Sequence, residues 1–354
     1  VYDDQSPPIG PGAIPASPFR FRGGTLIDWM RNRDSRSRAL SVSRKDRGAI
    51  LPLGRAHQQA YWYAADTRFT TSTYYADTLP TWVKRFNARG LPLRYAGKEW
   101  VPLLPDGAYP EADSVPAEGN GRDFMFPHTL PTDQAAAARS FPDFPWMDET
   151  TLALALEGLR QLNLGRGPAP ELLAISLSAT DAIGHRYGPD SRELHDQVIR
   201  LDRMLGTFLD SLFQARDSSR VLIALTADHG VQSFPQLYTA RTGEPAFRVD
   251  LTDITGQFYR ALVARGVDSA AFAFEDGILW MDRGAFGRAG VKADSVIDAF
   301  ANRARAVSGV WKTHRRSQIA PRDTVRDVVV RRWYHALPPD APFELVVTLR
   351  PGSV

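Results

Sequence analysis

Apolar runs alternate with segments of helical periodicity along most of the chain, a pattern typical of parallel α/β folds. Residues 172–178 and 221–226 are nearly continuous apolar runs, as expected of strands buried on both faces of a sheet. Ala39–Ser43 is predicted as a third, shorter strand. Residues 192–213 carry an apolar stripe at helical spacing, formed by Leu194, Val198, Leu201, Leu205, Phe208 and Leu212. We therefore expect an α/β fold with a mostly parallel central sheet and helices on both faces.

The same patterns predict further elements towards both ends of the chain. Helices are expected at residues 25–33, 151–162, 257–265 and 293–307. Strands are expected at residues 277–282, 328–332 and 344–349. Thr25 follows two glycines and is the expected N-cap of the first of these helices.

The stretch from residue 48 to residue 148 departs from this alternation. It is rich in aromatic residues, interrupted by proline and glycine, and only weakly periodic. Because it is too long for a structureless loop, we expect a loop-rich insertion or cap containing short helices and hairpins. Residues 240–320 are expected to form a second subdomain excursion, so that residues 1–354 make up a single, incomplete domain.

Composition excludes several classes of protein. With 43% hydrophobic and 23% charged residues, the 354-residue chain falls in the globular range. It contains no cysteine, so disulfides and thiolate metal sites are excluded. No apolar stretch reaches the roughly 18 residues that a membrane span needs. The 43 basic and 40 acidic residues give a net charge of +3, and the cations do not cluster as a nucleic-acid surface requires. No nucleic-acid polymer is therefore expected as a partner, and the oligomeric state stays open.

Polar side chains that are common in active sites follow three of the predicted strands directly: Lys45 and Arg47, Asp181 and His185, and Asp228 and His229. In open α/β sheets, ligands bind outside the carboxyl ends of the strands, so neighbouring strands would bring all six residues to one crevice. Carboxylate and imidazole ligands without thiolate suit Zn²⁺, with Mn²⁺ or Fe²⁺ as alternatives. Two such metals, with two cations nearby, form a clamp for displacement at phosphorus.

Each pair has an ordinary interpretation when it is taken alone. An aspartate with a histidine four residues later is more often a helix cap beside a surface histidine, and an Asp-His-Gly sequence is more often a strand-ending turn. Two cations after a strand are usually a solvated loop. Their joint occurrence after three predicted strands favours a site. His195 is expected on the polar face of its helix, and four histidines lack carboxylates at ligand spacing: His57, His128, His314 and His335.

Three segments that contain these residues carry a family resemblance. The sequence SATDAIGHRYGPDS at residues 178–191, followed by TADHG at residues 226–230, resembles the alkaline phosphatase superfamily, in particular its type I phosphodiesterase/nucleotide pyrophosphatase branch. Within that branch, VSRKDRGAILP at residues 42–52 is similar to the phosphate-irrepressible, PafA-like alkaline phosphatases. The resemblance extends over nearly the whole chain and implies an alkaline-phosphatase-like domain.

The resemblance also implies roles for the six residues. Asp181 and His185 would bind one zinc ion, with a further histidine. Asp228 and His229 would bind a second zinc ion, with an aspartate and a nucleophilic threonine or serine. Lys45 and Arg47 would contact the phosphoryl group of the substrate. The family works in the periplasm or outside the cell, whereas these residues contain no signal peptide.

The chain departs from the family pattern in two respects. No histidine follows His335, and His335 itself does not lie where the family usually places its metal ligand. Upstream of Lys45 there is no buried strand ending in aspartate and no threonine or serine in the nucleophile's sequence context. We therefore expect a fragment truncated at both ends, with its nucleophile outside the chain and no turnover of its own. We expect the enzyme from which such a fragment derives to be a phosphomonoesterase with a covalent phospho-Thr or phospho-Ser intermediate. The alternatives are a nucleotide pyrophosphatase/phosphodiesterase and a non-catalytic phosphate-binding relative.

Overall fold

The structure is a computed structural model that describes residues 1–320, 326–338 and 340–354. The chain forms two compact units, residues 1–231 and 232–354. In the described ranges, no helix has both the length and the apolar character needed to cross a bilayer. The expectation of a single domain with excursions at 48–148 and 240–320 stays a prediction, except that residues 59–63 belong to the central sheet.

The first unit is built around a four-stranded sheet. Its strands are β1 (Ala39–Ser43), β2 (Gln59–Tyr63), β3 (Phe69–Thr70) and β6 (Leu172–Ser176), in the order β3-β2-β1-β6. β1 runs parallel to both β2 and β6, and β3 is antiparallel to β2. A separate antiparallel pair is formed by β4 (Glu99–Trp100) and β5 (His128–Thr129).

Helices and turns surround these strands. The helices are α1 (Leu26–Arg33), α2 (Asp46–Ile50), α3 (Thr81–Ala88), α4 (Gln134–Ser140), α5 (Trp146–Gln161), α6 (Ala179–Tyr187) and α7 (Arg192–Ala215). The 3₁₀ turns are Pro92–Tyr95, Asp106–Ala108, Gly119–Gly121, Phe141–Asp143 and Ser218–Arg220. As expected, Thr25 is the N-cap of α1, where Oδ2 of Asp28 accepts hydrogen bonds from its backbone N at 2.7 Å and its Oγ1 at 2.9 Å.

Alternation of side chains along β1 and β2 gives the sheet two buried faces. Leu40 and Val42 belong to a core that also contains residues of α5, α6 and α7. Ala39 and Trp62 belong to a second core with residues of α1 and α2. α5 approaches β1 closely, since a Cβ on Gly158 would lie 2.5 Å from Cδ2 of Leu40. Burial on both faces makes β1 the centre of the unit.

The second unit has an antiparallel sheet in the order β7-β8-β10-β9. Its strands are β7 (Phe272–Glu275), β8 (Ile278–Met281), β9 (Val310–Arg315) and β10 (Phe343–Leu349). Its helices are α8 (Pro235–Thr242), α9 (Thr252–Val263), α10 (Arg283–Arg288), α11 (Ala293–Arg305) and α12 (Val328–Ala336), with 3₁₀ turns at Ser269–Ala271 and Arg316–Gln318. Phe286, Ile297 and Phe300 are fully buried in its core.

Two predicted strands are wrong. Residues 221–226 form no strand, and Leu222 and Leu225 are 95% and 84% exposed, because no strand among the described residues pairs with this segment. Residues 328–332 lie in α12 instead. Three consecutive valines favour a strand, but the Asp327 carboxylate accepts hydrogen bonds from the backbone N of Val329 and Val330 and caps a helix.

Two further expectations need correction. Leu172–Ser176 is half-buried rather than buried on both faces, because β6 is the edge strand of its sheet. Gln59–Tyr63 lies within the stretch expected to leave the sheet and instead forms β2 beside β1. The aromatic run Tyr-Trp-Tyr in β2 is a strand signal by propensity, and it is buried.

Candidate active site

Two of the three predicted clusters meet because their strands are neighbours. β1 and β6 are parallel and in register, with Ser43 opposite Ser176 at their carboxyl ends. Lys45 follows β1 at the start of α2, and Asp181 lies in the first turn of α6 after β6. The Lys45 ammonium donates a hydrogen bond to Oδ2 of Asp181, so the carboxyl edge of the sheet places a cation and a carboxylate in direct contact.

The other carboxylate oxygen of Asp181 faces two imidazoles. Oδ1 lies 3.3 Å from Nε2 of His185, one turn later on α6, and 3.5 Å from Nε2 of His229. The same His229 nitrogen lies 3.5 Å from Oδ2 of Asp228. The structure therefore brings Lys45, His185 and His229 to Asp181, and Asp228 adjoins this cluster through His229.

Charge holds Asp181 ionised. Partial burial acts to raise its pKa, but the Lys45 ammonium and the imidazoles of His185 and His229 outweigh burial and lower that pKa below the ordinary value. The carboxylate is 18% exposed, whereas His185 is 72% and His229 is 52% exposed. A ligand can therefore reach the cluster from the solvent side.

The donor set fits a metal ion by its chemistry. Oδ1 of Asp181 is buried and has no hydrogen-bond partner among the described residues, although two imidazole nitrogens lie close to it. Carboxylate oxygen and imidazole nitrogen are the ligands expected for Zn²⁺ and related ions. In residues 1–320, 326–338 and 340–354, no three or more His, Cys, Asp or Glu side chains are grouped so that they could hold a metal ion. The described residues thus supply carboxylate and imidazole ligands, but not a complete set of ligands around one ion.

Arg47 is not part of this cluster. It is exposed on α2, and its guanidinium makes no hydrogen bond or ion pair with the described residues. Gly48, one residue later, lies where α2 crosses the strand ends. A Cβ there would overlap Oγ of Ser43 and lie 2.8 Å from Oγ of Ser176. Glycine at this position lets α2 start directly over the sheet edge and positions Lys45.

Asp148 anchors the helix that carries Asp181. This fully buried carboxylate on α5 accepts hydrogen bonds from the backbone N of Ala179 at 3.1 Å and from Nε2 of Gln197 at 3.1 Å. Burial raises the pKa of Asp148 to about 7, although these donors and the nearby charge of Arg44 act to lower it. The sequence gives little indication of this role, because Asp148 and Ala179 are 31 residues apart.

His128 is a second residue with carboxylate partners that the sequence analysis did not identify. Its Nδ1 lies 2.8 Å from Oδ1 of Asp123 and its Nε2 lies 2.8 Å from Oε1 of Glu193. Burial acts to lower the pKa of His128, but the two hydrogen bonds outweigh it and raise that pKa. Asp123 also accepts a hydrogen bond from Arg186 on α6. The Asp123–His128 pair lies within five residues, but Glu193 is 65 residues away.

Comparison with known proteins identifies the family of this chain. Residues 36–332 match the family described as Type I phosphodiesterase / nucleotide pyrophosphatase. The chain belongs to this family. The resemblance seen in the sequence is therefore confirmed.

Individual relatives are alkaline phosphatases by name. The chain is 38% identical to alkaline phosphatase PhoV of Synechococcus elongatus over 226 residues, which cover 62% of this chain and 41% of that protein. It is 35% identical to alkaline phosphatase PafA of Elizabethkingia meningoseptica over 217 residues, covering 58% of this chain and 40% of that protein. The matched regions thus span about two fifths of the length of these relatives.

The fold agrees with that of a solved family member. The crystal structure of wild-type alkaline phosphatase PafA matches with a TM-score of 0.87 at 24% identity, covering 100% of this chain and 69% of that chain. This likeness confirms the α/β fold class predicted from the sequence. The assignment of Lys45, Arg47, Asp181, His185, Asp228 and His229 to a site stays a prediction.

Proposed function

We propose that the natural protein is a metal-dependent hydrolase of small phosphoric esters, with a preference for monoesters. The observation that carries the proposal is the contact of Lys45 with Asp181 beside His185 and His229, at the carboxyl edge of a parallel sheet. Membership of a phosphodiesterase family, and relatives named alkaline phosphatases, support the reaction class.

Four side chains would hold the metal ions. Asp181 and His185 would ligate one Zn²⁺, and Asp228 and His229 would ligate another, with Mn²⁺ or Fe²⁺ as alternatives. When bound, such ions neutralise charge on the phosphoryl oxygens. Lys45 now neutralises Asp181, and its ammonium is placed to donate a hydrogen bond to a phosphoryl oxygen that lies beside that carboxylate.

The cations account for the proposed preference for monoesters. A phosphate monoester presents more anionic oxygen than a diester, so it gains more from Lys45 and from Arg47 if that exposed side chain turns towards the site. We further propose a phospho-Ser or phospho-Thr intermediate: the hydroxyl oxygen bonds to phosphorus while the ester oxygen leaves with a proton, and water then releases phosphate. The attacking hydroxyl is not among the six residues assigned here. We also propose a periplasmic or secreted location, which the family resemblance supports.

A nucleotide pyrophosphatase/phosphodiesterase is the second candidate. The family description favours it, as does 34% identity over 80 residues to venom phosphodiesterase 2 of Crotalus adamanteus, covering 23% of this chain and 10% of that protein. Lys45 favours the phosphomonoesterase over the phosphodiesterase, since a diester has fewer charged oxygens for the ammonium to bind. A phosphate-binding relative without catalysis is the third candidate.

The test compares matched substrates on the natural protein. Hydrolysis of an aryl phosphate monoester and of the corresponding diester is measured before chelation, after chelation, and after Zn²⁺ is restored. We expect chelation to abolish both reactions, Zn²⁺ to restore them, and kcat/KM to be higher for the monoester. A higher kcat/KM for the diester would favour the phosphodiesterase. Phosphate binding without hydrolysis of either ester would favour the non-catalytic relative.

A further inference from the structure

A cleft of about 780 Å³ lies in the second unit, lined by residues of α9, β7, β10 and α12 and of the segments beside them. All of its lining residues fall within residues 249–349, whereas the candidate active site belongs to the first unit. Small-molecule sites in proteins have volumes of about 300–1,000 Å³. The cleft is therefore large enough to hold a small organic molecule.

The sequence of α9 explains why space is left beside it. Ile254, Phe258 and Leu262, at intervals of four residues, pack in the core of the second unit. The next face of the helix lines the cleft with small or polar residues: Thr252, Thr255, Gly256 and Tyr259. A Cβ on Gly256 would meet only the guanidinium of Arg260 among the described residues, at 3.3 Å from Nη1. A larger side chain at this position would therefore extend into the cleft.

Much of the remaining lining is aromatic or aliphatic. Phe272 and Phe274 are two residues apart on β7 and hence lie on the same face of that strand. Val347 of β10 and Trp333 of α12 also line the cleft. Nε1 of Trp333 donates a hydrogen bond to Oγ1 of Thr348 at 2.8 Å, which fixes the indole ring. These side chains favour a ligand with an apolar, and above all an aromatic, body.

The charged groups of the lining are carboxylates. Asp250 and Asp276 line the cleft and are exposed to solvent, and no lysine, arginine or histidine of the described ranges lines it. Hydrogen bonds from Thr252 hold the pKa of Asp250 below its ordinary value, so this carboxylate is ionised. Arg260 lies close to Gly256 but is not part of the lining. The cleft therefore attracts a cationic ligand.

We propose that this cleft binds an organic ammonium compound with an aromatic body. The body would cover the phenylalanine and tryptophan side chains, and the ammonium would be attracted by Asp250 and Asp276. Aromatic rings add to this preference, because their faces attract cations. Oγ1 of Thr255 is buried and has no hydrogen-bond partner in the part of the chain that the structure describes, so it can bind a polar group of the ligand. The proposal does not depend on the reaction that the protein catalyses.

The experiment measures binding of three indole compounds to the natural protein by equilibrium dialysis at pH 7. Tryptamine, tryptophol and indole-3-propionate share one aromatic body and are cationic, neutral and anionic. We expect saturable binding of tryptamine, weaker binding of tryptophol, and the weakest binding for indole-3-propionate, which two carboxylates repel.

Two charge variants locate the ammonium. Asp276→Asn should weaken tryptamine binding about fivefold, the effect of losing an exposed ion pair, and should leave tryptophol binding unchanged. Asparagine tolerates the positive φ of 51° at this position. Asp253→Asn is the matched control, because Asp253 is exposed on α9 and does not line the cleft. It should change the binding of neither compound.

Gly256→Leu locates the aromatic body. The leucine side chain would occupy part of the cleft, and leucine favours a helix more than glycine does, so the variant should fold and lose binding of both tryptamine and tryptophol. Its thermal unfolding shows whether it is folded.

Three outcomes would overturn the proposal. The first is absence of saturable tryptamine binding to the wild-type protein at millimolar concentration. The second is equal affinity of the wild type for all three compounds. The third is a folded Gly256→Leu variant that binds tryptamine as tightly as the wild type. If Gly256→Leu does not fold, equal tryptamine affinities of Asp276→Asn and Asp253→Asn would contradict the proposal instead.

Discussion

The ammonium of Lys45 donates a hydrogen bond to Oδ2 of Asp181, 136 residues away along the chain. The contact exists because β1 and β6 are parallel neighbours whose last residues lie side by side. It leaves Oδ1 of Asp181 directed at His185 and His229. Asp181 thus connects Lys45, which is proposed to bind phosphate, with His185 and His229, which are proposed to bind metal. Substitutions of Lys45 and of Asp181 should therefore differ in their effects on monoester and diester hydrolysis.

Lys45→Ala should reduce hydrolysis of a monoester more than hydrolysis of a diester. The lost interaction is a charge-assisted hydrogen bond worth about 1.5–3 kcal/mol. That corresponds to roughly a 10- to 150-fold loss of kcat/KM for the monoester. The measurement is kcat/KM for a matched monoester and diester on the natural protein.

Two further variants make this result interpretable. Lys84→Ala removes an exposed lysine from α3 and should leave both values unchanged. Asp181→Ala should lower both values together, because it removes a proposed metal ligand that either reaction needs. Equal losses on the two substrates for Lys45→Ala would contradict the assignment of Lys45 to monoester recognition.

Gly48→Ala should destabilise the protein and displace Lys45. The added Cβ would overlap Oγ of Ser43 and crowd Oγ of Ser176 at 2.8 Å. Ser43 Oγ also accepts a hydrogen bond from the backbone N of Lys45 at 3.0 Å, which the crowding would disturb. Overpacking costs typically about 1–3 kcal/mol, against a gain of about 1 kcal/mol in helix propensity. The free energy of unfolding, measured with urea, should therefore fall by up to about 2 kcal/mol.

Gly206→Ala is the matched control for this substitution. Gly206 lies within α7, and an added Cβ would meet no atom within 4 Å. Only the propensity gain applies there, so the free energy of unfolding should rise by about 1 kcal/mol. If both alanine variants are stabilised alike, close packing of α2 over the strand ends does not position Lys45.

Local sequence patterns were sufficient for some of these features. Ala39–Ser43 was predicted with its observed bounds, since five consecutive small or apolar residues between polar segments define both ends of a short strand. The spacing of Asp181 and His185 is one helical turn, and the structure places both on α6 with 3.3 Å between Oδ1 and Nε2. Thr25 as an N-cap followed from the same local reasoning.

Features that depend on distant residues were not predictable in this way. Residues 221–226 have the composition of a buried strand, but whether such a run is buried depends on a neighbouring strand that composition does not reveal. His128 has no carboxylate at ligand spacing in the sequence, yet Glu193 contacts it from 65 residues away. The sequence does not reveal the role of Asp148 either, because this residue of α5 binds the first residue of α6 from 31 positions away.

Asp148→Asn should change the pH dependence of stability. Burial raises the pKa of Asp148 to about 7 in the folded protein, against 3.8 for the exposed group. The folded state therefore favours the protonated carboxyl. Its contribution to stability is complete below pH 4 and is lost as the pH rises through 7. The full difference corresponds to about 4 kcal/mol at 1.36 kcal/mol per pKa unit.

An amide cannot ionise, so the variant lacks this loss. It keeps an oxygen that can accept from Ala179 N, and its NH₂ group can donate to the unpartnered buried Oε1 of Gln197 once that amide rotates. The measurement is the free energy of unfolding in urea at pH 5, 6, 7 and 8 for both proteins. The difference should shift progressively in favour of Asp148→Asn, because the other titrating groups cancel in the comparison. Asp148→Ala, which leaves Ala179 N without its acceptor, should be less stable than Asp148→Asn throughout. Parallel curves for the wild type and Asp148→Asn would show that Asp148 stays ionised over this range and anchors α6 by charge instead.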